Sequence, residues 1–332
     1  MKEIALQILG TGEFAPSHRV DSTEFDRIFN RASGWTFDQT GVRSRAFARD
    51  GESVVSMGAS AAREALSNAG LAEHDLDLIV AVGSVPAQAI PCTAVLLHRE
   101  LGLSGSGTAA FDVNATCLGF LAALDLVAQG IATERYKAVL MVASERPSVG
   151  LRQTDSTTAG LFGDGAGAII VGPSNGKHGA LLASHFQTFS HGAEFCRVRA
   201  GGSDINPHKD PAAFLDGSYF EMRGRHMYRL AAERMPEFLD TLLTRARMGR
   251  SDVDVWVPHQ ASAHGVNHMR QALGLPAERF VSTIETRGNQ VAASLPVALH
   301  HGIQSGHIKS GETIALIGTG AGLSFGGALL RY

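Results

Sequence analysis

The stretch that most constrains this chain is Phe111-Asp112-Val113-Asn114-Ala115-Thr116-Cys117-Leu118-Gly119-Phe120. It reads as a short apolar strand, a tight bend at Asn114-Ala115-Thr116, and a helix that starts at the cysteine. From Leu118 to Ala128 only Asp125 is charged, and apolar side chains take nearly every face. A helix apolar all round is a buried one. A cysteine in its first turn meets free N–H groups and the positive end of the helix dipole, which favour a thiolate. Taken alone, Cys117 could equally be a small buried hydrophobe.

The flanking pattern alternates strand and helix. Strands are expected over 1–12, 77–82, 111–113 and 138–143, with a Gly-rich strand pair over 163–172. Helices are expected over 21–29, 54–69 and 93–101, and residues 35–45 form a polar connection. The second half replays this order, with helices over 225–247, 266–273 and 291–304. Its strands fall over 253–257, 280–284 and 313–317, with a last Gly-rich strand over 318–331. Leu76-Asp77-Leu78-Ile79-Val80 answers Val253-Asp254-Val255-Trp256-Val257 at an offset of 177 residues. Cys117 answers Asn289 at an offset of 172, which sets the two at matching helix starts across a pseudo-twofold. The reading is two similar α/β halves, 1–174 and 175–332, each with buried strands covered by helices.

Composition excludes several classes. A formal charge of −3 with both signs interspersed gives no electrostatic case for nucleic acid or an anionic membrane. Three cysteines, Cys92, Cys117 and Cys196, in no metal-like spacing suit a reducing cytoplasm better than a disulfide framework. The apolar run at the N-terminus is too brief for a signal peptide or a membrane span.

Three further segments carry chemistry. Val255-Trp256-Val257-Pro258-His259-Gln260 sets a histidine just past a buried strand, where α/β sheets place reactive groups, although His259 could also be a satisfied core residue. Thr286-Arg287-Gly288-Asn289 offers an amide in a glycine turn, or simply a helix cap. Gly318-Thr319-Gly320-Ala321-Gly322 has no lysine and no room for a following helix, so it is not a phosphate loop. It reads as a bulged turn that exposes backbone N–H groups, as an oxyanion site requires. Gly10-Thr11-Gly12 is a weak dinucleotide fingerprint, because Pro16 follows where a helix should open. His264 and His268 have a metal-ligand spacing but no third ligand nearby, and read as a solvated helix face.

In this order the motifs resemble the β-ketoacyl-acyl-carrier-protein synthase III condensing enzymes of the thiolase superfamily. They are Asp112 to Phe120, Phe162-Gly163-Asp164-Gly165-Ala166-Gly167-Ala168, Pro258-His259-Gln260-Ala261, Gly288-Asn289 with Ala292-Ala293-Ser294, and Gly326 to Tyr332. The resemblance implies a thiolase-like five-layered αβαβα fold. It implies an acyltransferase in which Cys117 attacks an acyl thioester, with the backbone N–H groups of Cys117 and Ala321 holding the oxyanion. His259 and Asn289 would hold the enolate of a decarboxylating malonyl thioester, with no metal or bound cofactor. Substrate-binding positions would be Trp35, Ile90, Met222, Gly224 and Ser262. The partners would be coenzyme A or acyl carrier protein thioesters and a second copy of the chain.

The chain departs from the family pattern where arginines should grip coenzyme A. Gln39, Ser156 and His264 stand at those positions and cannot reproduce a bidentate fork. Ile90, ahead of Pro91, replaces a bulky aromatic and should widen the acyl pocket, so a primer longer than acetyl is expected. Acyl transfer to an alcohol or amine, or a non-catalytic subunit that completes a partner's pocket, are the alternatives. The retained Asn289 speaks against the first, and intact Cys117, His259 and Asn289 against the second.

Overall fold

A computed structural model describes residues 2–175 and 179–332; Met1, the first residue of the first expected strand, lies outside them. In chain order the first elements are β1 (Leu6–Phe14), β2 (His18–Asp21), α1 (Ser22–Ile28), α2 (Trp35–Thr40), β3 (Ser44–Phe47), α3 (Val54–Ala69), β4 (Leu78–Val82) and α4 (Thr93–Glu100). Next come β5 (Ala109–Val113), α5 (Gly119–Ala132), β6 (Val139–Glu145), β7 (Gly165–Pro173), β8 (Ala180–Thr188), β9 (Cys196–Arg197), α6 (Pro211–Gly217) and β10 (Glu221–Met222). The chain ends with α7 (Gly224–Ala246), β11 (Val255–Pro258), α8 (Ala263–Ala272), α9 (Ile284–Arg287), α10 (Ser294–Gln304), β12 (Thr313–Gly320) and β13 (Ser324–Arg331).

Two sheets organise these elements. The first runs β1-β7-β6-β4-β5 and the second β8-β13-β12-β11. In the first, β4 is parallel to both β5 and β6, while β7 is antiparallel to β6 and β1. The second repeats this strand for strand: β11 and β12 are parallel, and β13 is antiparallel to β12 and β8. Where β5 has its counterpart, only Phe280 bridges to Trp256. The strand expected over 280–284 stops there because the buried Gln260 side chain accepts the N–H groups of Thr283 and Ile284, at 2.9 and 3.2 Å. Those donors are lost to a ladder, and the chain turns into α9.

The apolar pattern stacks the layers. Residues of α3 and α4 pack on the outer face of the first sheet. Helices α5 and α10 share one core between the two sheets, and α7 and α8 cover the outer face of the second. The order is αβαβα. Each fully buried Leu of the central layer, such as Leu121, Leu124, Leu295 and Leu299, contributes about 1.5–3 kcal/mol.

Four local expectations change. Residues 35–45 are α2 and β3, not a polar connection, because Gly34 and Gly41 supply left-handed caps with φ of 93° and 68°. The segment 163–172 supplies one strand rather than a pair: β7 lies between β1 and β6, and the next strand, β8, joins the other sheet. Residues 318–331 are the end of β12, a turn, and β13. Helix α5 is not buried all round: Leu126 is 59% exposed, and the neighbouring β5 is the edge strand of its sheet.

Candidate active site

The Cys117 turn is built by Asn114. Its Oδ1 accepts the Thr116 N–H at 2.9 Å, and the N–H groups of Leu118 and Gly119 return to Ala115 and Thr116 carbonyls at 3.1 and 2.9 Å. Thr116 has φ of 51°, a left-handed conformation that costs a β-branched residue about 1–3 kcal/mol. Because these turns close first, the helix begins at Gly119, and Cys117 stands just ahead of it rather than in its first turn. The thiol is half-buried. Burial pushes it well above the ordinary cysteine range, with Cys196 and Glu145 adding to the rise. Hydrogen bonds from the backbone N–H groups of Cys117 and Ala321 pull the other way. Both expected N–H donors reach the sulfur, and burial opposes the thiolate that they favour.

The second sheet comes to meet this turn. A Cβ on Gly318 would lie 3.2 Å from Leu118 Cδ2 and 2.8 Å from His259 Cβ; one on Gly320 would lie 3.1 Å from Leu118 Cγ. Leu118 thus lodges against glycines of β12, and the missing side chain of Gly318 lets His259 approach it. His259 extends the parallel ladder by donating its N–H to the Ile317 carbonyl at 2.7 Å. Its ring is buried, and Nδ1 has no partner among the described residues. Burial pushes its pKa down to about 4, so the imidazole is neutral at pH 7.

Asn289 closes the site from a third side. Its Oδ1 accepts the Val291 N–H at 2.9 Å, and its Nδ2 donates to the Ala261 carbonyl at 3.2 Å. Ala261 in turn donates its N–H to the His259 carbonyl at 2.9 Å, so Asn289 and His259 are held by one short loop. Asn289 also bridges to Phe162. It is not the positional equivalent of Cys117, because it lies five positions before the first residue of α10, whereas Cys117 lies two positions before the first residue of α5.

A cavity of about 240 Å³ opens beside His259, between α7 and α8, and Met222, Gly224 and Ser262 line it with Met227 and Met269. Trp35 and Ile90 are not among its lining residues.

Residues 111–190 match the family model of 3-oxoacyl-[acyl-carrier-protein] synthase III, and residues 243–332 match the model of its C-terminal part. The β-ketoacyl-[acyl-carrier-protein] synthase III of Clostridioides difficile (strain 630) is 33% identical over 325 residues, covering 98% of each chain. This chain belongs to the synthase III family. The crystal structure of the synthase III from Aquifex aeolicus VF5 superposes with a TM-score of 0.88 at 32% identity, over 98% of this chain and 100% of that one. The priming β-ketosynthase of the R1128 polyketide pathway gives 0.89 at 30% identity, over 99% and 97%.

The positions expected to bind coenzyme A have other partners here. His264 Nε2 lies 3.1 Å from the Gln39 carbonyl and so latches α8 to α2. Arg152, the arginine preceding Ser156, is paired with Asp216 and stacked on Tyr219. Trp35 packs edge-on to Phe29, and the Arg31 guanidinium lies 5.1 Å from its ring centre. The sequence reading missed Arg31, whose signal was its four-residue spacing from the tryptophan. It also missed Glu145, a carboxylate that ends β6 after the apolar run Val139–Ala143 and Ser144. His264 and His268 are exposed on α8 as expected, with His268 against Tyr228. Among the described residues no group of three or more His, Cys, Asp or Glu is placed to hold a metal, and no helix is long and apolar enough to cross a membrane.

Proposed function

We propose that this synthase III acylates Cys117 from an acyl thioester and condenses the acyl group with a malonyl thioester to give a β-ketoacyl thioester. The pathway is fatty-acid or polyketide-type biosynthesis. The observation that carries the reading is the pair of N–H donors, from Cys117 and Ala321, on the Cys117 sulfur, with His259 and Asn289 held together nearby. Sulfur attacks the thioester carbonyl, the two N–H groups hold the oxyanion, the carrier C–S bond breaks, and the proton given up by Cys117 leaves on the carrier thiol. The malonyl C–CO₂ bond then breaks, carbon dioxide departs, and the electron pair becomes an enolate. Its oxygen takes hydrogen bonds from His259 and from the Asn289 amide hydrogen not given to Ala261. The enolate carbon attacks the acyl carbonyl, the C–S bond breaks, and Cys117 is restored. Both thioesters bring their own activation, so no bound cofactor enters the scheme.

The relatives are named for acyl carrier protein, and we extend that partner to this chain. The weakened cation forks at Gln39, Ser156 and His264 and the small Ile90 support a primer longer than acetyl. Each extra buried methylene is worth about 0.8 kcal/mol. A homodimer is supported by the open edge of β5 and by exposed Phe111, Leu126 and Ile90. Three unpaired cysteines support a cytoplasmic location. The matching strand order of the two sheets supports halves 1–174 and 175–332 as copies of one unit. Competition between acetyl and octanoyl thioesters of one carrier, followed by release of labelled carbon dioxide from malonyl thioester, tests the scheme. Octanoyl should label Cys117 faster and carbon dioxide should follow. Faster acetyl labelling sinks the primer argument, and turnover without carbon dioxide sinks the condensation.

A further inference from the structure

Glu145 is a buried carboxylate beside the Cys117 turn that the scheme above leaves unused. It ends β6, is 3% exposed, and its Oε1 accepts the Ser84 N–H at 2.7 Å and the Ala292 N–H at 3.4 Å. Ser84 begins the loop that leads to Ile90, and Ala292 lies in the turn that Asn289 opens. Two segments with different tasks, one shaping the primer side and one holding the enolate donor, therefore meet on a single carboxyl oxygen. A third segment, the Cys117 turn, lies close enough that a charge on Glu145 opposes a charge on the sulfur.

We infer that Glu145 is a positioning residue that ties the Ser84 loop to the Asn289 turn, and that its ionisation sets the two half-reactions against each other across pH. The inference rests on the acylation and condensation steps proposed above. An ionised carboxylate holds two N–H groups more firmly than a neutral acid, since charge-assisted hydrogen bonds are roughly twice as strong. The same charge disfavours the developing thiolate of Cys117. Acylation is thus faster with Glu145 protonated, and condensation faster with it ionised. Once Cys117 is acylated it carries no charge, and the conflict between the two disappears.

The surroundings support a carboxyl that titrates in the working range. Burial pushes Glu145 up to about 7, and the two N–H groups only partly offset this. The charged neighbour acting on it is Asp164, a like charge that raises it further. Asp164 accepts hydrogen bonds from Ala48 and Ser148, and Arg146 acts on Asp164. Cys196 acts on Cys117, not on Glu145.

The test is Glu145→Gln in the full chain, with single-turnover acylation and condensation of preformed acyl-enzyme followed from about pH 5.5 to about pH 8.5. Wild-type acylation should bend near pH 7. The variant should lose that bend and acylate about tenfold faster at the alkaline end, one pK unit of the thiol being tenfold in thiolate. Its condensation step should fall by about tenfold as the clamp loses its charge. Equal slowing of both steps with the bend retained would mark a merely structural residue and overturn the inference. A wild-type acylation profile with no inflection between about pH 6 and about pH 8 would overturn it without any variant. A wild-type enzyme whose Cys117 is never acylated would sink the proposed reaction itself, a result distinct from either.

Discussion

Asn114 and Asn289 make the same pair of hydrogen bonds, 175 residues apart in the chain. Each Oδ1 accepts the N–H two residues on, of Thr116 or Val291, at 2.9 Å. Each of those β-branched residues has a left-handed backbone, with φ of 51° and 52°. Each Nδ2 donates to the loop that follows the matching parallel strand, to Ser84 at 3.4 Å or to Ala261 at 3.2 Å. The asparagine turn is thus a device of both halves. In one it presents the nucleophile three residues later, and in the other the asparagine itself faces the chemistry.

Asn289→Ala should leave Cys117 acylation partly intact and lower condensation by about a hundredfold or more, the usual cost of one oxyanion-type donor. Asn114→Ala should do the reverse and slow acylation, because it releases the Thr116 turn. Single-turnover kinetics of the two half-reactions check this. Equal loss of both steps in Asn289→Ala would remove its assigned role.

The two buried titratable groups should give opposite pH signatures in stability. His259 is a base with its folded pKa depressed to about 4 from 6.5. Below pH 6.5 the unfolded chain takes up a proton that the folded chain refuses, so stability falls from about pH 6.5 to about pH 4. Glu145 is an acid raised to about 7 from 4.5, so its contribution is full below pH 4.5 and is lost as pH rises to about 7. Urea midpoints should therefore favour His259→Gln over the wild type increasingly toward pH 4. They should favour Glu145→Gln toward pH 8, each by up to about 3 kcal/mol. Variant curves that run parallel to the wild type at every pH would contradict the burial argument.

The edge strand β5 predicts what breaks the proposed dimer. Phe111 is 43% exposed and Ile90 is 86% exposed. Phe111→Asp should convert a dimer to a monomer in sedimentation at micromolar concentration and lower acylation by long primers more than by acetyl. A wild-type monomer with full activity would refute a shared pocket.

Much of this was legible in residues and spacing. The buried strand before His259, the paired strands at an offset of 177, and the N–H donors of the Gly318–Gly322 turn all lie where periodicity and glycine placement put them. What periodicity could not show was competition from side chains. Gln260 takes the donors that would have extended a strand past Phe280, and Asn114 closes the turn that delays α5 to Gly119. The offset of 172 between Cys117 and Asn289 was three residues out for the same reason: the repeated feature is the asparagine turn, not the reactive atom. Burial decided the rest. A helix start favours a thiolate only where solvent or charge supports it, and around Cys117 desolvation outweighs the two N–H donors.

The central claim is that Cys117 carries the acyl group and gives it up to an enolate. Intact mass and peptide mapping after incubation with octanoyl thioester should show one octanoyl adduct, on the peptide containing Cys117, and none in Cys117→Ala. On adding malonyl thioester the adduct should vanish as an equal amount of carbon dioxide and β-ketoacyl thioester appears. An adduct on Cys92 or Cys196, or one on Cys117 that persists with malonyl thioester and is lost only to an alcohol or amine, would contradict the account.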